Sequence, residues 1–319
     1  MGIGKYIKEI GRGKDGARAL TRDQAADLMG QVLDGTVSDL EIGGFCLAMR
    51  IKGETHDEMA GFLDAVHARL SKVSAQGLVV VIPTYNGARR LPVLTALLAA
   101  LLARHGAQAG FGVVVHGCAT EDTRITTQSV FEALNLKQIY AKVHINTAQP
   151  AIINIAYGSL HYIPTQVLSP ALQRLLDVRR SVGLRNSAHS LVKLMNPTSS
   201  AQALLITSYT HPEYLHSMTA TLQLTGAHAM LVRGTEGEAV ADARRAPQMD
   251  GFVQGVHTQL HQPQPGSITT VPDLPKAIDA DSTAHFIHEV LLGSKPVPAA
   301  IALQLEHILH LLDQIAQRQ

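Results

Sequence analysis

The chain has 319 residues, of which 46% are hydrophobic and 17% are charged, so the composition indicates a globular protein of one or two domains and excludes a disordered chain. Its formal net charge of +1 indicates no partner by itself. The two cysteines, Cys46 and Cys118, lack the spacing of a zinc site or a disulfide framework, and this cysteine usage favours a cytoplasmic location. The longest apolar stretch, residues 91–103, is too short to span a bilayer, and the first residues do not resemble a secretory signal, so we expect no membrane association.

Three helices are predicted between residues 21 and 71, because three capping boxes lie in this part of the chain. The boxes begin at Thr21, Ser38 and Thr55 and end three residues later in Gln or Glu. In each box the first side chain can accept a hydrogen bond from the third helical amide, while the Gln or Glu side chain reaches back. Apolar residues at helical spacing follow each box. We therefore predict a small helical domain over residues 1–76, joined by helices from about 165–195.

From residue 78 onwards the pattern alternates between strands and helices. Buried strands are predicted at residues 78–82, 113–115, 151–156, 204–208 and 229–232. Helices are predicted near residues 92–105, 126–135, 169–181, 186–195 and 212–225. Ser282 is the predicted cap of a helix that ends before Gly293, and a terminal helix is expected from about Pro298. The alternation predicts a large α/β domain over residues 77–319 with a central, mainly parallel sheet.

The cations of the chain are concentrated in three segments that contain few acids. These segments are residues 1–18, residues 83–120, which contain no acid, and residues 169–193, where Asp177 is the single acid. Such segregation indicates an anionic partner on one face of the protein. The candidate phosphate contacts are Lys5, Lys8, Arg12, Lys14, Arg89, Arg90, Arg179, Arg180 and Arg185.

Each of these cations also has a simpler interpretation. The N-terminal group can be a solvated helix face, and Arg89 with Arg90 can be an exposed loop pair. Arg185 can hold an internal carboxylate instead of a phosphate. The histidines indicate no metal site, because the pairs at residues 257 and 261 and at residues 285 and 288 lack a third ligand.

Residues 38–55 resemble the N-terminal helix pair of the anthranilate phosphoribosyltransferase family, with the ending Ala-Met-Arg-x-Lys-Gly-Glu-Thr. A second match runs from Gly183-Leu-Arg-Asn-Ser-Ala-His to the Asn-Pro pair at residues 196–197, and two further motifs, at residues 211–213 and 233–237, follow in the family's order. The resemblance covers nearly the whole chain. It implies a helical small domain, an α/β large domain and a homodimer formed through the N-terminal helices. In the enzymes, the arginine at the position of Arg185 helps to bind the aromatic acceptor.

The positions that handle phosphoribosyl diphosphate in the family differ in this chain. The Gly-Thr-Gly-Gly-Asp loop, whose small residues let amides approach a pyrophosphate, is replaced by Pro83, Thr84, Tyr85, Asn86 and Gly87. The Lys-His-Gly-Asn motif keeps only His116 and Gly117. The Asp-Glu pair that would hold magnesium is replaced by Ala239 and Val240, with Glu236 and Glu238 out of register. These changes predict that ordinary phosphoribosyl transfer is lost and that no cofactor or metal is used.

The replaced segments are similar to the YbiB-like branch of this family, as is the basic opening of the chain at residues 7–14. That resemblance implies nucleic-acid binding of low sequence specificity in a basic groove that crosses the dimer. Single strands are favoured, because the sequence contains no recognition-helix motif. Tyr85 can stack on a base or pack against its own loop. The alternatives are an active anthranilate-type phosphoribosyltransferase, which would need magnesium, and a nucleoside or phosphosugar binder in the same cleft.

Overall fold

The computed structural model describes residues 2–13, 15–135, 153–198, 203–268 and 271–318. In the first part of these residues four helices precede the first strand. They are α1 (Gly4–Ile10), α2 (Arg22–Leu33), α3 (Asp39–Lys52) and α4 (His56–His67). The three predicted capping boxes are all formed, at Thr21, Ser38 and Thr55. Helix α1 precedes the predicted helices, and no side-chain cap marks its start.

The helical domain packs around buried aromatic and methionine side chains. The rings of Phe45 and Phe62 meet edge to face at 5.8 Å between centroids, a geometry that adds to the gain from burial. Glu58 is fully buried and forms an ion pair of 2.6 Å with Lys52. The Glu58 carboxylate also accepts the backbone amides of Leu20 and Thr55. Because a buried charge is costly without partners, this network ties the start of α4 to the end of α3.

The large domain alternates strands and helices around a seven-stranded sheet. The helices that follow α4 are α5 (Thr95–Ala109), α6 (Thr127–Leu134), α7 (Thr165–Leu168), α8 (Pro170–Val182), α9 (Ala188–Leu194), α10 (Pro212–Leu224), α11 (Ala280–Leu291) and α12 (Ala299–Ala316). The strands of the chain are β1 (Val73–Ala75), β2 (Leu78–Thr84), β3 (Phe111–Gly117), β4 (Ile153–Ile155), β5 (Leu160–Pro164), β6 (Ala203–Tyr209), β7 (Ala229–Arg233), β8 (Met249–Val253) and β9 (Val256–His261).

The sheet order is β5-β3-β2-β6-β7-β8-β9, and β1 pairs with β4 in a separate two-stranded sheet. The first five strands of the large sheet are parallel, and the last two pairings are antiparallel. The prediction of an α/β fold with a mainly parallel sheet and a helical N-terminal domain is therefore confirmed. Helices α8 and α9 pack against α2 and α4, which connects the middle of the chain to the helical domain. The exact division at residues 76 and 77 stays a prediction.

Several elements differ from their predicted positions. Asp279, not Ser282, caps α11: its carboxylate accepts the Ser282 amide at 2.7 Å. The helix predicted from residue 92 begins at Thr95. Strands β5, β8 and β9 carry too few consecutive apolar residues to stand out in the sequence. Of the strand predicted at residues 151–156, the first two residues lie outside the described part of the chain.

The parallel strands bring four connecting loops to one edge of the sheet. These loops follow β2, β3, β6 and β7, and they begin at Tyr85, Cys118, Thr210 and Gly234. In α/β proteins, ligands bind at the carboxyl ends of the parallel strands. We therefore expect the candidate site residues at this edge of the sheet.

Candidate functional site

The loop after β2 encloses a buried carboxylate that belongs to the loop after β7. Glu238 is 1% exposed, and its Oε1 accepts the backbone amides of Asn86 and Gly87 at 2.9 and 2.8 Å. Its Oε2 accepts from three hydroxyl groups, those of Thr84, Thr95 and Thr127. A buried charge is tolerated when its lone pairs are satisfied in this way. The carboxylate of Glu238 therefore occupies the position where this loop would present its amides to an anion.

A second carboxylate, that of Glu236, accepts amides from the following residues of the β2–α5 loop. Glu236 accepts the amides of Arg90 at 2.8 Å and of Leu91 at 3.0 Å, and it lies 3.2 Å from the amide of Arg89. Between the two glutamates, Gly237 has a φ of +92°, and a Cβ there would collide with the Asn86 side chain. The turn at residues 236–238 thus requires glycine at its centre. Its two carboxylates together accept hydrogen bonds from five backbone amides of the β2–α5 loop.

The positions matched to the family's diphosphate loop are buried. Pro83 and Thr84 end β2 and pair with His116 and Gly117 at the end of β3. A Cβ at Gly117 would collide with the Thr84 carbonyl oxygen, so this close strand approach needs glycine.

Tyr85 packs inside its own loop. Its ring is 4% exposed, and its hydroxyl lies 2.7 Å from Nδ1 of His116. The other ring nitrogen of His116 lies 3.1 Å from the carbonyl oxygen of Met195, to which it can donate. Burial lowers the pKa of His116 to about 4, so the imidazole is neutral and Nδ1 accepts from the tyrosine. A ring in this position is not available to stack on a base.

The arginines of α8 and the following loop face two acids that come directly after β3. Glu121 forms ion pairs with Arg179 at 2.7 Å, Arg124 at 2.9 Å and Arg185 at 3.5 Å. The hydrogen bonds from Arg124 and Arg179 lower the pKa of Glu121 to about 2. Arg180 lies 3.4 Å from Asp122 in a largely exposed pair. In this structure Arg185 therefore contacts an internal carboxylate, which the sequence left open as the alternative to a phosphate.

Arg124 connects two of the predicted cationic segments. Its guanidinium lies 3.9 Å from Glu236, the carboxylate that accepts the amides of residues 89–91. The same guanidinium lies 2.9 Å from Glu121, which also pairs with Arg179. The side chains of Arg89 and Arg90 are exposed and form no ion pair within the described ranges. The structure therefore brings the segment around residue 90 and the segment around residue 180 to one edge of the sheet.

Lys5 and Lys8 lie on α1, which packs on α3, and Arg12 follows this helix. Lys8 is exposed, Lys5 lies 3.8 Å from Asp27, and Arg12 forms an ion pair of 2.7 Å with Glu9. Lys14 lies outside the described residues. In the part of the chain that the structure describes, no hydrogen bond or ion pair links α1 to the arginine segments. The single continuous groove of all three segments stays a prediction.

A cavity of about 550 Å³ lies between the end of α3, helix α9 and the start of α10. Arg185, His189 and Lys193 line one side of it at intervals of four residues. Burial lowers the pKa of His189 to about 4 and that of Lys193 to about 8. Arg50, at the end of α3, also lines the cavity. Arg50 and Lys193 were not among the contacts predicted from the sequence, although Lys193 lies in the acid-poor segment 169–193 and shares a face of α9 with His189, four residues earlier.

Two features are absent from the described residues. These residues contain no group of three side chains placed to hold a metal ion. None of their helices combines the length and apolar character needed to cross a bilayer.

Comparison with known proteins agrees with the fold. Residues 5–69 match the helical bundle domain of the glycosyl transferase family. The chain is 37% identical over 312 residues to the uncharacterized protein YbiB of Escherichia coli (strain K12), covering 96% of this chain and 92% of that protein. It is 26% identical over 303 residues to the anthranilate phosphoribosyltransferase of Beijerinckia indica subsp. indica, covering 89% and 81% of the two chains.

Solved structures show the same architecture. The anthranilate phosphoribosyltransferase of Thermus thermophilus aligns with a TM-score of 0.69 at 20% identity, over 93% of this chain and 85% of that one. The enzyme of Saccharomyces cerevisiae in complex with PRPP and Mg aligns with a TM-score of 0.68 at 14% identity, over 98% and 88%. The helical bundle, the mainly parallel sheet and the near full-length similarity to YbiB show the family. The chain belongs to the YbiB-like branch of the anthranilate phosphoribosyltransferase family.

Proposed function

We propose that this protein binds nucleic acid without sequence specificity, with a preference for single strands, and that it does not transfer phosphoribosyl groups. One observation carries the proposal. The backbone amides of the β2–α5 loop donate hydrogen bonds to Glu236 and Glu238. The side chains of Arg89 and Arg90 on the same loop are exposed and form no ion pair with the described residues. The loop thus offers guanidinium groups to an external phosphate instead of amides.

Diphosphate binding at this loop would require the displacement of two internal carboxylates. Glu238 is almost fully buried, so its removal from the amides would leave an unpaired charge in the interior, at a cost of several kcal/mol. The positions matched to the magnesium-binding acids hold Ala239 and Val240, which have no oxygen in their side chains. The residues present therefore do not fit a magnesium ion.

The surface cations differ in how freely they can meet a phosphate. Arg180 and Asp122 form an exposed pair at 3.4 Å, and such pairs contribute about 0–1 kcal/mol, so a phosphate can replace Asp122. Arg179 is held at 2.7 Å by Glu121, which two further arginines share, and it has a structural role here. The proposed phosphate contacts are thus Arg89, Arg90 and Arg180, together with the N-terminal cations Lys5, Lys8, Arg12 and Lys14.

A homodimer through the N-terminal helices is part of this proposal. Leu40, Leu47 and Ile51 of α3 are 86%, 42% and 66% exposed, and their spacing of seven and four residues places them on one helix face. A second copy of the chain would cover this apolar stripe. Two copies would double the basic surface and raise the affinity for a long strand by avidity.

The test is a salt titration of binding to single-stranded DNA, duplex DNA and single-stranded RNA, comparing the wild type with the R89A/R90A variant. If both arginines contact phosphates of a single strand, the variant binds more weakly, and its log–log salt slope is smaller by about 1.4. Lys276 is exposed and lies elsewhere, so K276A is the matched control and keeps the wild-type slope. Equal slopes for wild type and R89A/R90A would reject the loop as a contact.

The alternative function is an anthranilate-type phosphoribosyltransferase. It predicts magnesium-dependent consumption of anthranilate and phosphoribosyl diphosphate at an ordinary enzyme rate, about 1 per second or more. We expect no such turnover from the purified protein, and observing it would replace the binding function with the transferase.

A further inference from the structure

We propose that the phosphate contacts of the β2–α5 loop continue along the carboxyl edge of the sheet into a second pocket, where Arg233 and Arg245 bind phosphates of the same single strand. This inference rests on the proposed nucleic-acid binding and adds two contacts that were not predicted from the sequence. The pocket is distinct from the cavity beside α9, with which it shares only Tyr209 among the described lining residues.

The pocket lies at the same edge of the sheet as the loop that carries Arg89 and Arg90. It has a volume of about 320 Å³, and its walls come from the end of β7, the segment before β8 and the segment after β9. Strands β2, β6 and β7 are parallel, whereas β8 and β9 alternate in direction. Because β6 alone separates β2 from β7, the ends of these two strands lie about 10 Å apart.

Two arginines in the pocket have no counter-charge among the described residues. Arg233, the last residue of β7, is exposed, and its side chain forms neither an ion pair nor a hydrogen bond in the described ranges. Arg245 donates to the carbonyl oxygen of Gly266, a neutral group, and forms no ion pair with the described residues. A guanidinium group can donate two parallel hydrogen bonds to a phosphate. An external phosphate would therefore supply the charge that this pocket lacks.

The one acid among the described lining residues is already paired. Asp242 accepts hydrogen bonds from Nε and Nη2 of Arg244 at 2.9 and 2.8 Å. It also accepts the backbone amide of Arg244 at 3.0 Å. The carboxylate thus neutralises a third arginine, and it leaves the charges of Arg233 and Arg245 uncompensated within the part of the chain that the structure describes.

The walls of the pocket favour a phosphate over a base. Bases of single strands stack on exposed aromatic rings. Tyr209 is the one aromatic residue among the described lining residues, and at 4% exposure it presents little ring surface. The backbone of the strand, not its bases, therefore faces the pocket.

Contacts between the two regions join the pocket to the β2–α5 loop. Glu236, three residues after Arg233, accepts the backbone amide of Arg90 at 2.8 Å. Leu91, next to Arg90, lines a narrow recess together with Asp242, which also lines the pocket. A stacked strand advances about 3.4 Å per nucleotide, so about three nucleotides cover the distance of about 10 Å. One strand can therefore reach both pairs of arginines.

The test is a salt titration of binding to a long oligothymidylate, comparing the wild type with R233A/R245A. Loss of two phosphate contacts on a single strand should lower the log–log salt slope by about 1.4, and R233A alone should lower it by about 0.7. The matched control is R104A/R318A, which removes the same charge from two exposed positions. Arg318 lies near His228, which precedes β7 at the opposite edge of the sheet. The control should keep the wild-type slope.

Replacement by lysine separates charge from packing. R233K/R245K keeps both charges, and lysine binds phosphate as a point charge, so this variant should retain the wild-type slope. An equal loss of slope in R233K/R245K and R233A/R245A would overturn the assignment to phosphate. A wild-type slope for R233A/R245A would overturn it as well. If R245A disturbs the fold, R233A alone decides, because the Arg233 side chain has no partner to lose among the described residues.

The length of the oligonucleotide tests whether one strand reaches both sites. In a series of oligothymidylates, the wild-type affinity should stop rising at a length about three nucleotides greater than that of R233A/R245A. Equal lengths would overturn the continuous path.

The variants of the two sites let the two hypotheses fail separately. A smaller slope for R89A/R90A with a wild-type slope for R233A/R245A would keep the proposed function and reject this inference. The reverse result would reject the β2–α5 loop and the shared strand. A wild type that binds none of the oligonucleotides would reject both.

Discussion

The carboxylate of Glu238 accepts the backbone amides of Asn86 and Gly87 at 2.9 and 2.8 Å, across about 150 residues of sequence. The contact joins the loops that follow β2 and β7 at the carboxyl edge of the sheet. It gives the protein an internal anion at a place where the relatives' loop has small residues suited to a pyrophosphate. The same contact makes this loop a structural element whose stability can be measured.

Replacement of Glu238 by glutamine is expected to destabilise the fold. The glutamine amide nitrogen would face donors where an acceptor is required, and an unsatisfied buried group costs about 1–3 kcal/mol. Urea unfolding of E238Q measures the loss. E213Q removes an exposed acid of α10 and should change the free energy of unfolding by less than about 0.5 kcal/mol. If the two variants were equally stable, the internal anion would not contribute to folding.

The pH dependence of stability should report the cluster around Glu121. Its pKa is lowered from the ordinary value to about 2 by hydrogen bonds from Arg124 and Arg179. A carboxyl with a depressed folded-state pKa stabilises the fold above its unfolded pKa and loses that contribution as the pH falls towards the folded value. The wild type should therefore exceed E121Q in stability at pH 6, and the difference should shrink between about pH 5 and pH 3. Chemical denaturation at each pH measures it, and a constant difference would contradict the assignment.

Replacement of Tyr85 by phenylalanine separates packing from base stacking. The variant keeps the ring but leaves Nδ1 of the buried His116 without its donor, so we expect a loss of about 1–3 kcal/mol in stability. Affinity for single-stranded oligonucleotides should stay the same in the folded variant, because the ring is 4% exposed. A weakened oligonucleotide affinity at unchanged stability would instead place Tyr85 at the ligand.

Introduction of a charge into the apolar stripe of α3 should dissociate the proposed dimer. In I51E, a carboxylate replaces a side chain that is 66% exposed in the single chain and would be desolvated between two copies. Light scattering coupled to gel filtration should show a dimer for the wild type and a monomer for I51E. Leu292 is 70% exposed elsewhere, so L292E is the control and should remain dimeric. A wild type that is monomeric at high concentration would reject the homodimer.

The sequence by itself determined the local structure of this protein. The capping boxes at Thr21, Ser38 and Thr55 predict three helix starts correctly, since a cap depends on residues three positions apart. The buried apolar runs predict β2, β3, β6 and β7, and the strand–helix alternation predicts the α/β fold. The resemblance to the anthranilate phosphoribosyltransferase family was also readable from contiguous motifs.

Only the tertiary structure decided which charges face one another. Glu236 and Glu238 were noted in the sequence only as acids out of register, because nothing local indicates that their carboxylates reach amides about 150 residues away. Glu121 follows an acid-free segment in sequence yet neutralises Arg179, which lies in another acid-poor segment. Caps and amphipathic faces are set by neighbours along the chain, whereas the pairing of charges and amides depends on which loops the parallel sheet brings to the same edge.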